Sequence, residues 1–286
     1  MAANTNIQWY PGHMTKARRM MEESVKLIDI VVELVDARIP ASSKNPDIDE
    51  LAKGKARLIL LNKADLADAE RTAAWMRYYE SRGWYAAALN ARQTKDVRSV
   101  AGLIQESCRE ITERNARRGI KNRPIRAMIV GIPNVGKSTF INSFAGRAAA
   151  KTGNTPGVTK GKQWIRLNKN VELLDTPGIL WPKFEDQKVG MRLAWIGSIR
   201  DEVLDAGDLA FELIQFLKEE YPSALRERYG LEGEEAPLEM MEKIGRMRGC
   251  LKAGAQIDYD KTASVILDDF RKGALGRITA EVPGDE

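Results

Sequence analysis

The sequence predicts an α/β domain, a largely parallel sheet flanked by helices, followed by an all-helical C-terminal domain. Three observations lead there. Short apolar and β-branched runs alternate with helical patterns through the first half of the chain, as parallel strands joined by crossover helices do. One pair of runs is separated by only residues 168–170, too few for a crossover, and reads as an antiparallel hairpin. From about Gln187 onward the apolar spacing turns helical.

In chain order, the strand candidates are IVVELV (30–35), RLILLN (57–62), AAALN (86–90), AMIVG (127–131), QWIRL (163–167) and VELLD (171–175), all read as buried. Helical patterns run from Ala69 to about Arg82, with Asp68 as the cap, and from about Val97 to Arg117. In the C-terminal region Leu209, Leu213, Phe216 and Leu217 share one helical face, as do Ala263, Ile266, Leu267 and Phe270. Asp258 is placed to cap the second of these helices and Gly273 to end it, while LEGEEAP (231–237) reads as an exposed acidic loop. The expected domains are 1–185 and 190–286.

Composition narrows the function. The chain has 286 residues, 43% apolar and 30% charged, which suits a globular protein with a real core. Two cysteines, Cys108 and Cys250, stand outside any metal-ligand pattern, and His13 is the single histidine. A disulfide scaffold, a cysteine-built zinc site and a multi-histidine metal site are excluded. The apolar run LIDIVVELV (27–35) is short and carries Asp29 and Glu33, so it does not read as a membrane span, and no signal peptide is evident. An intracellular, cytoplasmic location and no membrane partner are expected. The net charge of +5 is mild but clustered.

The strongest motif is GIPNVGKS (131–138), which fits G-x-x-x-x-G-K-[ST] and lies between a strand and a helical run bearing Phe140, Ile141 and Phe144. Such a loop cradles phosphates with backbone N–H groups and a helix N-terminus. Asn134, Val135, Gly136, Lys137, Ser138 and Thr139 are the expected contacts: Lys137 as a charge on the outer phosphates, Ser138 as a Mg²⁺ ligand. NKAD (62–65) follows the strand RLILL. The Asp65 carboxylate can accept from guanine's N1–H and 2-amino group, donors that adenine lacks. Asn62 can bond the acceptor edge of the base, the Lys63 stem can pack over the ring, and Ala64 completes the segment. DTPG (175–178) ends the strand VELLD, 37 residues after Ser138. There Asp175 can hold Mg²⁺ through water, and the Gly178 N–H can reach the γ-phosphate. Between them, KTGNTPGVTKGKQW (151–164) suits a switch loop; Thr159 is the first choice for a metal-contacting threonine and Thr155 the second, each otherwise an ordinary loop threonine. LNARQ (89–93) ends another strand, where Asn90 and Ala91 can turn backbone N–H groups to the base oxygen.

These elements match the guanine-nucleotide-binding set of the translation-factor class of GTPases, in an unusual order. The base-reading elements precede the phosphate loop, the switch loop and DTPG. The predicted fold is thus a circularly permuted P-loop GTPase domain, its old termini joined through the basic 109–126 segment and its new cut falling after DTPG. The DTPG switch then runs straight into the helical domain, so nucleotide state can bias that domain.

The chain resembles the YlqF/RbgA family of circularly permuted ribosome-assembly GTPases along essentially its whole length. The resemblance rests on IQWYPGHMTKARR (7–19), DARIP (36–40), NKAD, GIPNVGKS, TPGVTKGKQW, DTPGIL and GRMRGCLKAGAQIDYDKTASVILDDFRKGALGRI (245–278). It implies a GTPase acting in late maturation of the large ribosomal subunit, stimulated by the ribosomal particle. The residues after the switch glycine, Ile179 and Leu180, cannot orient an attacking water. The resemblance offers His13 for catalysis, against a histidine that packs or contacts RNA. It also offers Asn134 as a K⁺ ligand, against a plain loop asparagine.

Basic residues recur away from the nucleotide motifs: Lys16, Arg18 and Arg19, then Arg109, Arg114, Arg117, Arg118, Lys121, Arg123 and Arg126, then Arg246, Arg248, Lys252, Arg271, Lys272 and Arg277. With no base-stacking signature, they suit folded RNA read by shape and charge. The expected partners are GTP and GDP, with Mg²⁺ and a candidate K⁺, and the precursor of the large ribosomal subunit, its rRNA and proteins; the chain is expected to be a monomer. A rival reading is an RNA-binding assembly scaffold that senses guanine nucleotide without needing hydrolysis. An ATPase conflicts with Asp65.

Overall fold

The computed structural model describes residues 12–120, 122–146, 163–167, 169–181, 186–199 and 205–284, with side chains from Thr15 onward. The chain divides into two compact units, Met1–Glu185 with Glu281–Glu286, and Asp186–Ala280. The last residues therefore belong with the first unit, where the sequence reading had assigned them to the helical domain.

The first unit contains α1 (Gly12–Ser24), β1 (Ile30–Asp36), α2 (Pro46–Leu51), β2 (Ala56–Asn62), α3 (Ala69–Ser81), β3 (Tyr85–Leu89), α4 (Thr94–Ser107), α5 (Arg109–Arg117), β4 (Ile125–Val130), α6 (Lys137–Ala145), β5 (Gln163–Arg166) and β6 (Val171–Asp175). Its six-stranded sheet has the order β3-β2-β1-β4-β6-β5, parallel except for the β5–β6 hairpin. β1 is buried at every position, as a central parallel strand covered on both faces must be. Its one mid-strand charge, Glu33, is satisfied by Arg57 of β2 at 2.7 Å and by the Asn45 N–H at 3.1 Å. Burial pushes the Glu33 carboxyl up despite the Arg57 guanidinium.

Two expectations change. β3 and β5 are edge strands with exposed positions, Trp164 being 40% exposed, because each has a neighbour on one side only. The long helix expected over 97–117 breaks at Cys108 into α4 and α5. The sequence reading had named neither α1 nor α2. Asp68 does cap α3, accepting from the Arg71 N–H at 2.9 Å. Along the basic segment Arg123 pairs with Asp29, and Arg126 pairs with Glu172 and stacks on Trp164, so these two serve the fold. Arg109, Arg114, Arg117 and Arg118 stay exposed.

The second unit is helical among its described residues: α7 (Gln187–Trp195), α8 (Ala206–Glu220), α9 (Pro222–Tyr229), α10 (Pro237–Met247) and α11 (Tyr259–Lys272). Leu209, Leu213 and Leu217 of α8 and Ala263, Ile266, Leu267 and Phe270 of α11 form its core, as the spacing predicts. Asp258 caps α11, and Gly273 ends it with φ +76°. Here too some of the cations expected to face RNA have partners within the unit. Arg271 donates to the Trp195 and Ala194 carbonyls, closing the end of α7, and Arg248 leans on Asp269, which Arg228 grips with two hydrogen bonds.

Candidate nucleotide site

Because β1, β2, β3, β4 and β6 are parallel, the loops leaving their C-terminal ends open along one edge of the sheet, where open α/β sheets hold ligands. DARIP, NKAD, LNARQ, GIPNVGKS and DTPG are those loops. β4, which feeds the phosphate loop, lies between β1 and β6.

The phosphate loop turns through left-handed backbone at Asn134 (φ +60°) and Gly136 (φ +101°) before α6 begins at Lys137. Gly136 cannot be replaced cheaply. A Cβ there would stand 2.4 Å from Asn62 Nδ2. Gly178 is pinned in the same way, since a Cβ would meet Lys137 Nζ at 2.8 Å and Pro133 N at 3.0 Å. DTPG and the phosphate loop thus meet at Lys137. The Lys137 ammonium, 8% exposed, donates to the Gly131 and Ile132 carbonyls at 2.8 Å each. Burial lowers it to about 8, opposed by Asp175.

Asp175, at the end of β6, is 2% exposed. Its Oδ1 is buried without a hydrogen-bond partner among the described residues. Burial lifts its carboxyl to about 6, against the pull of Lys137 and the Thr176 N–H. A buried, ionisable oxygen with no protein partner fits a hard cation bound through oxygen, with the Ser138 hydroxyl at the start of α6 as a second donor. Ser138 and Thr139 are half-buried. Thr176 anchors the segment through the Ile129 carbonyl at 2.7 Å. Ile179 and Leu180 are each 1% exposed, so the positions after Gly178 serve the core. The Ile179 carbonyl accepts from the Asn45 side chain at 3.2 Å.

On the base side, Asn62 is the junction. Its Nδ2 donates to the Val135 carbonyl at 2.7 Å, and its Oδ1 accepts from the Ala91 N–H at 2.9 Å. The side chain expected to read the base thus first ties NKAD to the phosphate loop and to LNARQ. The N–H groups expected to face the base oxygen are also engaged: Ala91 by Asn62, Asn90 by the Asp96 carboxylate at 3.1 Å. Lys63 adopts left-handed backbone (φ +59°) and donates to the Asn134 carbonyl at 3.0 Å and to Asp36 at 2.9 Å. Ala64 is half-buried beside it, and Asp65 is exposed at the mouth. Thr155 and Thr159 lie outside the described residues. So does the His13 side chain, whose backbone falls in the first turn of α1.

A family model described as a 50S ribosome-binding GTPase matches residues 126–232. The chain is 51% identical over 278 residues to ribosome biogenesis GTPase A of Bacillus cereus, covering 97% of this chain and 94% of that one. The namesake from Thermotoga maritima is 31% identical over 98% of this chain and 95% of its own. This chain belongs to the ribosome biogenesis GTPase A family. Among solved structures, GNP-bound YlqF from T. maritima superposes with a TM-score of 0.64 at 28% identity, covering 95% of this chain and all of that one. A GDP-bound YlqF structure gives 0.65 at 26% identity. Membership of the ribosome biogenesis GTPase A family makes the chain a GTPase. No helix among the described residues is long and apolar enough to cross a membrane.

The sequence reading missed Asp36, Arg38, Asn45 and Glu281. Asn45-Pro46 carried a usable signal, a capping side chain ahead of proline at the first helical position, and Asn45 does accept from the Asp47 N–H at 3.0 Å.

Proposed function

We propose that the chain binds and hydrolyses GTP with Mg²⁺ while docked, in the cytoplasm, on the precursor of the large ribosomal subunit, and that hydrolysis times maturation or its own release. The observation that carries this reading is the Asn62 junction, which couples a base-selecting segment to a phosphate cradle. Asp65 selects guanine, the Lys63 stem covers the ring, and Asn62, Ala64, Asn90 and Ala91 form the seat behind it. The amides from Asn134 to Thr139 hold the phosphates, with Lys137 swinging from its loop carbonyls onto the outer oxygens and the Gly178 N–H closing on the γ-phosphate. Ser138 and Asp175, with Thr159 from the switch loop, would hold Mg²⁺. Bound Mg²⁺ neutralises charge building on the phosphate oxygens. The exposed arginines of α5 suit an rRNA backbone.

Displacement of fluorescent GDP tests the reading: unlabelled GTP and GDP should compete and ATP should not. Equal competition by ATP would overturn it. The buried Ile179 and Leu180 favour slow hydrolysis by the free chain, which keeps the scaffold reading in play. A variant that binds GTP but cannot hydrolyse it separates the two. Stalled large-subunit maturation supports the timer, and normal maturation supports the scaffold.

A further inference from the structure

Asp36 ends β1 and is fully buried, as is Arg38 at 2% exposure. The guanidinium grips the carboxylate in a planar fork, Nε to Oδ1 and Nη2 to Oδ2, both at 2.9 Å, and the Arg38 N–H adds a third bond at 3.1 Å. Such a pair is costly to bury and is a poor device for stability alone. What distinguishes it is a second cation on Asp36. The Lys63 ammonium is 2.9 Å from Oδ2, while also donating to the Asn134 carbonyl of the phosphate loop. The loop bearing Arg38 is fastened in turn. The Glu281 carboxylate accepts from the Ala41 N–H at 2.6 Å and from the N–H and hydroxyl of Ser42.

We infer that Asp36 is a positioning residue of the nucleotide site, holding Lys63 stretched between NKAD and the phosphate loop so that its stem presents a ready surface to the base. A free lysine loses much rotamer entropy when it is ordered. Here the ordering is complete before a ligand arrives, which is how preorganisation raises affinity. The inference rests on the guanine-nucleotide reading above and adds a residue, the first of DARIP, to which that reading gave no role. Since the base is common to GTP and GDP, Asp36 should act on both alike and on binding rather than on the chemical step.

The experiment is equilibrium titration of the full chain with fluorescent GDP and a fluorescent non-hydrolysable GTP analogue, alongside steady-state hydrolysis. Asp36→Asn should weaken both nucleotides about tenfold or more and raise KM, with kcat changed by less than about twofold. In a Lys63→Met background the same substitution should cost less than about twofold, because the group it positions is gone. Equal losses in both backgrounds, or unchanged affinity in Asp36→Asn, would overturn the proposal. Asp36→Asn strands Arg38, so Asp36→Asn/Arg38→Met, which removes both buried charges, serves as the second variant. It should show the same loss, and wild-type affinity in that folded double variant would also overturn the proposal. If the unaltered chain binds no guanine nucleotide, the functional reading falls together with this one; if it binds GDP and the cycle is additive, only this one falls.

Discussion

Asn62 and Val135, separated by 73 residues in sequence, are joined by a 2.7 Å hydrogen bond from the asparagine amide to the backbone carbonyl. With the Ala91 N–H on its other end, one 2%-exposed side chain fastens three loops. Asn62→Ala strands a buried carbonyl and a buried N–H, each worth about 1–3 kcal/mol. Thermal or urea melts should show a destabilisation of that order. GTP and GDP affinity should fall together by about tenfold or more. A loss confined to one nucleotide would contradict this account.

Asp175 makes a pH prediction. Its carboxyl, ordinarily at 3.8, is lifted by burial to about 6, so folding favours the protonated form. The stabilisation is fully present below the ordinary value and is lost as pH rises through about 6, by roughly 3 kcal/mol at most. Glu33 is pushed the same way, so the variant is the diagnostic: Asp175→Asn should flatten this part of the stability–pH curve in urea melts of nucleotide-free protein. The same curve in the variant and the parent would transfer the effect to other groups.

His13 is the only imidazole in the chain, and the core residues Ile179 and Leu180 leave the water-orienting task unfilled. His13→Ala should lower turnover, measured with large-subunit precursor added, by at least about tenfold while changing GTP affinity far less. Equal turnover removes His13 from the chemistry.

Asn134 turns through left-handed backbone inside the phosphate loop, the position offered for a K⁺ ligand. A monovalent cation there would offset transition-state charge as an arginine finger does. Turnover should be clearly faster in K⁺ than in Na⁺ buffer, and Asn134→Ala should erase the difference. Equal rates in the two buffers would exclude the cation.

Local signals were legible in the sequence. Continuous apolar runs gave β1, β2, β4 and β6, and the hairpin spacing gave the β5–β6 turn. Asp68, Asp258 and Gly273 gave helix ends, because a cap is written within a few residues of the helix it serves. The motif order pointed to a permuted domain, while the strand order is seen only in the fold. Long-range partners were not legible. Nothing near Ser42 announces that Glu281 will bind it, nor does anything near Asn45 point to the Ile179 carbonyl. The ties that Asn62 makes to Val135 and Ala91 were not legible for the same reason, since those hydrogen bonds are settled by which loops the sheet brings together. Charge patterning did not reveal the acceptors that Arg123, Arg248 and Arg271 have within the fold. Edge exposure of β3 and β5 follows from strand order alone.

The return of the chain at Glu281 has a topological consequence. Residues 186–280 interrupt the first unit in sequence, and that unit resumes at Glu281. The indole N–H of Trp75, donating to the Glu281 carbonyl at 3.1 Å, fastens the resumed segment within that unit. Trimming the final six residues would remove the carboxylate that holds Ala41 and Ser42 and the carbonyl that holds the Trp75 indole, while sparing every residue expected to bind phosphate.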